Sequence, residues 1–191
     1  MHLLDYAATH PNAVICYHRS DMILKIHSDA SYLSEKEARS RAGGYFFLAN
    51  KNDNQYNGPI HILSTILRNV MASAAEAELG ALFENAKEAA PMRIALIELG
   101  HPQPATPIQV DNLTAHGIVN SNIRQRKSKA INMRFYWVKD RVRQKQYKVY
   151  WEPGTNNRAD YFTKHHPTAH HRKVRGDYLH QLNCVMLANV L

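Results

Sequence analysis

The stretch Leu24-Lys25-Ile26-His27-Ser28-Asp29-Ala30-Ser31-Tyr32 decides how this chain is read. Met22, Leu24 and Ile26 alternate with polar or long residues, the period-two pattern of a half-buried strand. The strand runs into a carboxylate, Asp29, set between small residues. A carboxylate inside a sheet costs several kcal/mol unless something cationic meets it. Its partners must therefore come from the rest of the chain.

Outward from this strand, residues 34–41 are charged and read as a loop. Gly43-Gly44 then opens an apolar run over 45–49, closed by an Asn-rich turn, and Pro59 begins a third run over 60–66. Three strands joined by turn-rich loops predict an antiparallel meander. Ser73-Ala74-Ala75-Glu76 has the form of a capping box and opens a long helix. Ala75, Leu79, Leu82, Ala86 and Ala89 form its buried stripe. Pro91 either kinks this helix or starts a second one over 92–99. Residues 107–110 form a strand ending in Asp111, and Asn112 caps a helix over 114–120. A basic helix follows, with Ile131, Phe135, Val138 and Val142 as its core stripe. Residues 147–151 make the last strand, Glu152-Pro153-Gly154 turns the chain, and Asn156 or Asn157 caps a short helix over 158–164. The expected fold is α/β: a five-stranded mixed sheet, three antiparallel strands and then parallel crossovers, with helices on both faces.

The 191 residues fit one domain with extensions: a lead-in segment over 1–20, the domain over 21–167, and a basic, His-rich tail over 168–191. No run approaches the roughly 18 to 20 apolar residues that a membrane span needs. Cys16 and Cys184 show no metal or CxxC spacing, and no secretory signal is visible, so a reducing compartment is expected. The excess of 24 Lys and Arg over 16 Asp and Glu suits a polyanionic partner. Much of it lies between Arg124 and Lys148, where ten basic residues face one acid, Asp140. Arg124, Lys127, Arg134, Arg141 and Lys145 are positioned to track a phosphate backbone. The alternative is a solvated amphipathic helix. His165, His166, His170 and His171 resemble a metal tract or a mobile cationic tail.

Asp29, Asp111 and Asp160 all sit at strand ends or helix starts, positions that converge at one edge of a sheet. Clustered like charges raise one another's pKa, and divalent cations remove that penalty. Oxygen-only ligands suit Mg²⁺ or Mn²⁺. A fourth carboxylate is expected from the long helix. Glu76 is occupied by the capping box, whereas Glu78 lies beside the apolar stripe, three residues after Ala75 and four before Leu82. Glu78 is the choice.

In order and spacing, these four acids resemble those of type 1 ribonuclease H. More narrowly, Ser-Asp-Ala-Ser-Tyr, Ala-Glu-Ala-Glu-Leu, Asp-Asn-Leu-Thr-Ala, Lys-Ala-Ile-Asn-Met-Arg-Phe-Tyr and Arg-Ala-Asp-Tyr-Phe-Thr-Lys resemble the ribonuclease H region of copia-type retrotransposon polyproteins. The resemblance spans about residues 22–167. It implies a metal-dependent endonuclease that cuts the RNA strand of RNA/DNA hybrids during reverse transcription, reading the 2′-hydroxyl and helix shape. Two ions would be held, with Asp29 shared, Glu78 and Asp111 completing one site and Asp160 the other. It also implies a reverse transcriptase domain of the same polyprotein as partner, and a cytoplasmic setting, in a virus-like particle for an active element, or a nuclear one. Gly43 and Gly44 would let the backbone approach the hybrid's minor groove; a strand bulge is the other reading.

The chain departs from the family in two places. Tyr150-Trp151-Glu152-Pro153-Gly154 stands where cellular enzymes carry a loop histidine, and Ala130 stands where many copia-type elements have histidine. Two rival functions stay open: a non-catalytic hybrid-binding module with the same fold, and a DNA-acting nuclease on that fold.

Overall fold

The alternation around Asp29 sorts side chains onto two sheet faces. Leu24 and Ile26 are fully buried on the helix side, whereas Lys25, His27 and Asp29 point to the other. The computed structural model describes residues 2–52, 56–120 and 129–181. In chain order the elements are α1 (His2–Thr9), β1 (Ala13–Val14), β2 (Ile23–Glu35), β3 (Arg39–Ala49), β4 (Pro59–Ile66), α2 (Ala74–Glu98), β5 (Thr106–Val110), α3 (Leu113–Val119), α4 (Lys129–Arg143), β6 (Tyr147–Trp151), α5 (Thr168–Val174) and β7 (His180–Gln181).

These divide into two compact units. One joins Met1–Arg19 to His166–Leu191, and the other is Ser20–His165. In the first, β1 pairs antiparallel with β7, Ala13 opposite Gln181, and the Tyr6 ring meets both His171 and the Arg175 guanidinium. The lead-in read over 1–20 and the tail read over 168–191 thus share this unit, apart from Ser20.

The second unit holds the expected sheet, in the order β4-β3-β2-β5-β6. β2 pairs antiparallel with β3, and β3 with β4, while β2–β5 and β5–β6 are parallel. α2, α3 and α4 all bury their apolar stripes in one cluster with Leu24, Ile26, Phe46, Ile108 and Val110. Each fully buried Leu, Ile or Phe there contributes about 1.5–3 kcal/mol.

Three local expectations need correction. Residues 34–41 are not a loop: β2 and β3 extend into a long hairpin that turns over Lys36–Ala38. Side-chain bonds hold that extension, Arg41 Nε to Glu35 Oε1 at 2.7 Å and Leu33 N to Ser40 Oγ at 3.1 Å. α2 runs unbroken through Pro91, which lies on its exposed side. Helical segments do cover the second sheet face, but as 3-10 turns over Gly154–Asn156 and Asp160–Phe162, not as a helix over 158–164. The cause is competition from β2. Asn157 Nδ2 donates to Ser28 O at 2.8 Å, and Arg158 N donates to His27 Nδ1 at 3.0 Å, so these groups serve the strand.

Candidate metal centre

The central strand brings Asp29 to the sheet's second face, where Thr163 Oγ1 donates to its Oδ2 at 2.7 Å. Ser31, two residues on, donates to Thr163 O at 2.6 Å and locks the same segment down. Asp29 is 3% exposed. Burial pushes its carboxyl up to about 6; the Thr163 hydrogen bond opposes this, and the charges of Asp160 and Asp111 add to it.

Glu78 reaches the site from α2, whose start is held by a variant of the expected capping box. Ser73 Oγ accepts from Glu76 N at 3.2 Å, while Glu76 Oε2 accepts from Ala72 N at 2.8 Å, one residue earlier than the standard box. With Glu76 so occupied, Glu78 is buried at 6% exposure, and its Oε1 accepts from Ala30 N at 3.2 Å. Its Oε2 has no hydrogen-bond partner among the described residues. Burial, then the charges of Asp29 and Asp111, hold Glu78 well above the usual carboxylate range. Asn85, two turns further along α2, donates to Ser28 Oγ and Gly43 O, both at 2.9 Å, and so ties the helix to β2 and β3.

Asp111 ends β5, and Asn112 caps α3 by accepting from Ala115 N at 3.0 Å. Trp151 Nε1 donates to Asp111 O at 2.9 Å. Gly154 presses on the carboxylate from the other side: a Cβ there would lie 2.6 Å from Asp111 Oδ2. Burial raises the Asp111 pKa, its own backbone N–H opposes the rise, and Asp160 adds to it.

Carboxylate oxygens of Asp29, Glu78 and Asp111 lie within 4.8 Å of one another. Three acids so close, all with raised pKa and one with an orphaned buried oxygen, fit a divalent cation. No other group of three ligand residues with this geometry occurs among the described residues, the His-rich tail included. Asp160 is not in the group. It stands near enough to raise Asp29 and Asp111, but its Oδ1 accepts from Lys164 Nζ. Burial lowers the Lys164 pKa, and the hydrogen bond and charge of Asp160, then Asp29 and Asp111, outweigh it for a net rise.

The remaining sequence-predicted positions divide. Gly43 and Gly44 are buried, and the close approach they permit in this structure is to Thr163 and Asn85. A Cβ on Gly43 would strike Thr163 Cγ2 at 2.5 Å, and one on Gly44 would strike Asn85 Oδ1 at 1.8 Å. Arg134 and Arg141 lie on α4 as expected, their guanidiniums over Phe83 and Trp137 at 5.6 and 4.9 Å. Lys145 is exposed but lies past the end of α4, at φ 57° in its C-terminal turn, where Lys145 N and Gln146 N close onto Val142 O and Arg141 O. Arg124 and Lys127 lie outside the described residues.

Sequence reading passed over Thr163, Lys164, Gly154 and Asn85. Thr163 and Lys164 were legible, three and four residues after Asp160 in the same motif. Asn85 also left a signal, a polar residue amid the stripe of Leu82 and Ala86. Gly154 carried no signal beyond a Pro-Gly turn.

This sheet order and site place the chain among ribonuclease H-like folds. It aligns with LC11-RNase H1, isolated from compost by a metagenomic approach, at a TM-score of 0.55 and 14% identity, covering 74% of this chain and 93% of that one. The same enzyme in complex with an RNA/DNA hybrid aligns at 0.53 and 12% identity, over 73% and 93%. The N-terminal RNase H domain of rv2228c from Mycobacterium tuberculosis aligns at 0.51 and 12%, over 74% and 91%. At these identities the likeness shows the fold.

The sequence narrows the class. Over 162 residues, 85% of the chain, it is 28% identical to the retrovirus-related Pol polyprotein from transposon TNT 1-94 of Nicotiana tabacum, and it spans 12% of that polyprotein. No protein-family model matches the chain. It is thus a homologue of a retrotransposon Pol polyprotein with a ribonuclease H-like fold, consistent with the copia-type resemblance of its motifs.

Proposed function

We propose that the chain is a metal-dependent endoribonuclease acting on the RNA strand of RNA/DNA hybrids during retrotransposon reverse transcription. The observation that carries this is the meeting of Asp29, Glu78 and Asp111 oxygens within 4.8 Å, with Glu78 Oε2 unpartnered. Asp29, Glu78, Asp111 and Asp160 are the residues that would hold two divalent cations, Mg²⁺ or Mn²⁺, with Asp160 now paired to Lys164. Bound cations supply a more acidic water nucleophile and charge stabilisation for the leaving oxygen.

The chain's own residues do the rest. Thr163 fixes the rotamer of Asp29 through its 2.7 Å hydrogen bond. Trp151 and Gly154 fix Asp111 from its carbonyl and its carboxylate. Lys164 neutralises Asp160 while no cation competes for it. Arg134, Arg141 and Lys145 attract the phosphate backbone, and the 2′-hydroxyl distinguishes RNA from DNA. Homology to a Pol polyprotein supports a reverse transcriptase domain of the same polyprotein as partner.

The test is incubation of labelled RNA/DNA hybrid, double-stranded RNA and double-stranded DNA with Mg²⁺. Wild type should cut the hybrid's RNA strand alone, and Asp29→Asn should not. Hybrid left intact by wild type, or cut equally by Asp29→Asn, refutes the catalytic reading. Binding without cutting would favour the hybrid-binding module, and cutting of duplex DNA the DNA-acting nuclease.

A further inference from the structure

The sheet face that carries Asp29 also holds a cavity of about 420 Å³, within the range of small-ligand sites. His27, Gln109 and Tyr150 line it side by side across β2, β5 and β6, since Gln109 pairs with His27 on one flank and Tyr150 on the other. Gln109 is fully buried at 0% exposure, and among the described residues neither its Oε1 nor its Nε2 has a hydrogen-bond partner. An amide left unpaired in an interior is costly, so a buried one lining a cavity points to something that completes it.

The chemistry around that amide is specific. A glutamine side chain sets an N–H donor beside a carbonyl acceptor in one plane, the pattern that pairs with the N6/N7 edge of adenine or with the N–H and carbonyl of a uracil or thymine ring. Phe47 and Tyr150 place aromatic rings in the lining, suited to the face of such a ring. His27 Nδ1 accepts from Arg158 N, so the ring's donor is Nε2. The geometry points to a binding site for one unpaired nucleobase of a nucleotide, with Gln109 reading its hydrogen-bonding edge. The ligand is either a free mononucleotide or an unpaired base within a strand.

The test uses ¹⁵N-labelled protein in chelator, titrated separately with adenosine and uridine 5′-monophosphates, with ribose 5-phosphate, and with a short single-stranded oligonucleotide. Saturable shifts of the Gln109 side-chain amide signals are expected with a nucleotide and not with ribose 5-phosphate. Gln109→Leu should weaken that binding about tenfold, the order expected for one bidentate pair. Response to mononucleotides identifies a free nucleotide as ligand; response to the oligonucleotide alone identifies a base within a strand. No saturable shift, or equal affinity in Gln109→Leu, overturns the site and leaves a water-filled cavity. Gln109→Leu should melt at or above wild type, because it removes an unpaired amide; a marked fall means the amide is already satisfied, and also overturns the site. Chelator silences metal-dependent cleavage, so these outcomes are separate from the hybrid-cleavage test.

Discussion

Asp29→Asn should make the cation-free protein more stable at neutral pH while abolishing hybrid cleavage. Asp29 is 3% exposed, and its pKa rises from 3.8 to about 6 on folding. The ionised form is therefore the disfavoured one in the native state. Below pH 3.8 the carboxyl is protonated in both states and costs nothing. As pH rises the unfolded chain loses its proton first, and the native penalty grows until it levels off above pH 6. At about 1.36 kcal/mol per unit, a rise of about two units corresponds to roughly 3 kcal/mol. Asparagine keeps the shape, still accepts from Thr163 and carries no charge, so it should recover most of that amount. The assay is urea denaturation in chelator at pH 4 and pH 8. The variant should gain about 2–3 kcal/mol at pH 8 and only about 0.5 kcal/mol at pH 4, where the unfolded carboxyl has begun to ionise. Adding Mg²⁺ should then stabilise wild type by mass action and leave the variant little changed. A variant no more stable than wild type at pH 8 refutes the assignment of Asp29 as a buried anion awaiting a cation.

Gly154→Ala places a Cβ 2.6 Å from Asp111 Oδ2, so the loop or the carboxylate must shift. The Mg²⁺-induced rise in melting temperature should shrink, and an undiminished rise would show that the loop absorbs the methyl without moving Asp111. Thr163→Val removes the hydroxyl that holds Asp29 and should cost about 1–2 kcal/mol in chelator, read by urea denaturation; an unchanged midpoint would mean the bond holds nothing in place. Arg134→Ala combined with Arg141→Ala should weaken hybrid binding and flatten the slope of log affinity against log salt by about 2, measured in the cleavage-dead Asp29→Asn background. A retained slope assigns these arginines to their stacking on Phe83 and Trp137 instead.

Where sequence reading succeeded and failed follows from how local each determinant is. The strand alternation at Leu24 and Ile26, the Ser73 cap and the Asn112 cap are set within a few residues and stand as read, while Glu76 closes on Ala72 N in place of Ser73 N. Assigning Glu76 to the cap left Glu78 for the site, and the structure places it there. The helix expected over 158–164 failed because Ser28 and His27, some 130 residues earlier, take up Asn157 and Arg158. The internal neighbours of Gly43 and Gly44 were hidden for the same reason, since the atoms they make room for belong to Thr163 and Asn85.

The order of the elements, the strand that carries Asp29 and the identity of the acids were written in the sequence, because periodicity, caps and residue chemistry are local. Which acids meet was decided only in three dimensions. Asp29, Glu78 and Asp111 converge because parallel pairing aligns β2 with β5 and because α2 packs across β2, while Lys164, four residues along, draws Asp160 aside. The convergence of the three depends on packing between segments far apart in the chain, which no local pattern encodes, whereas the Lys164–Asp160 contact is local.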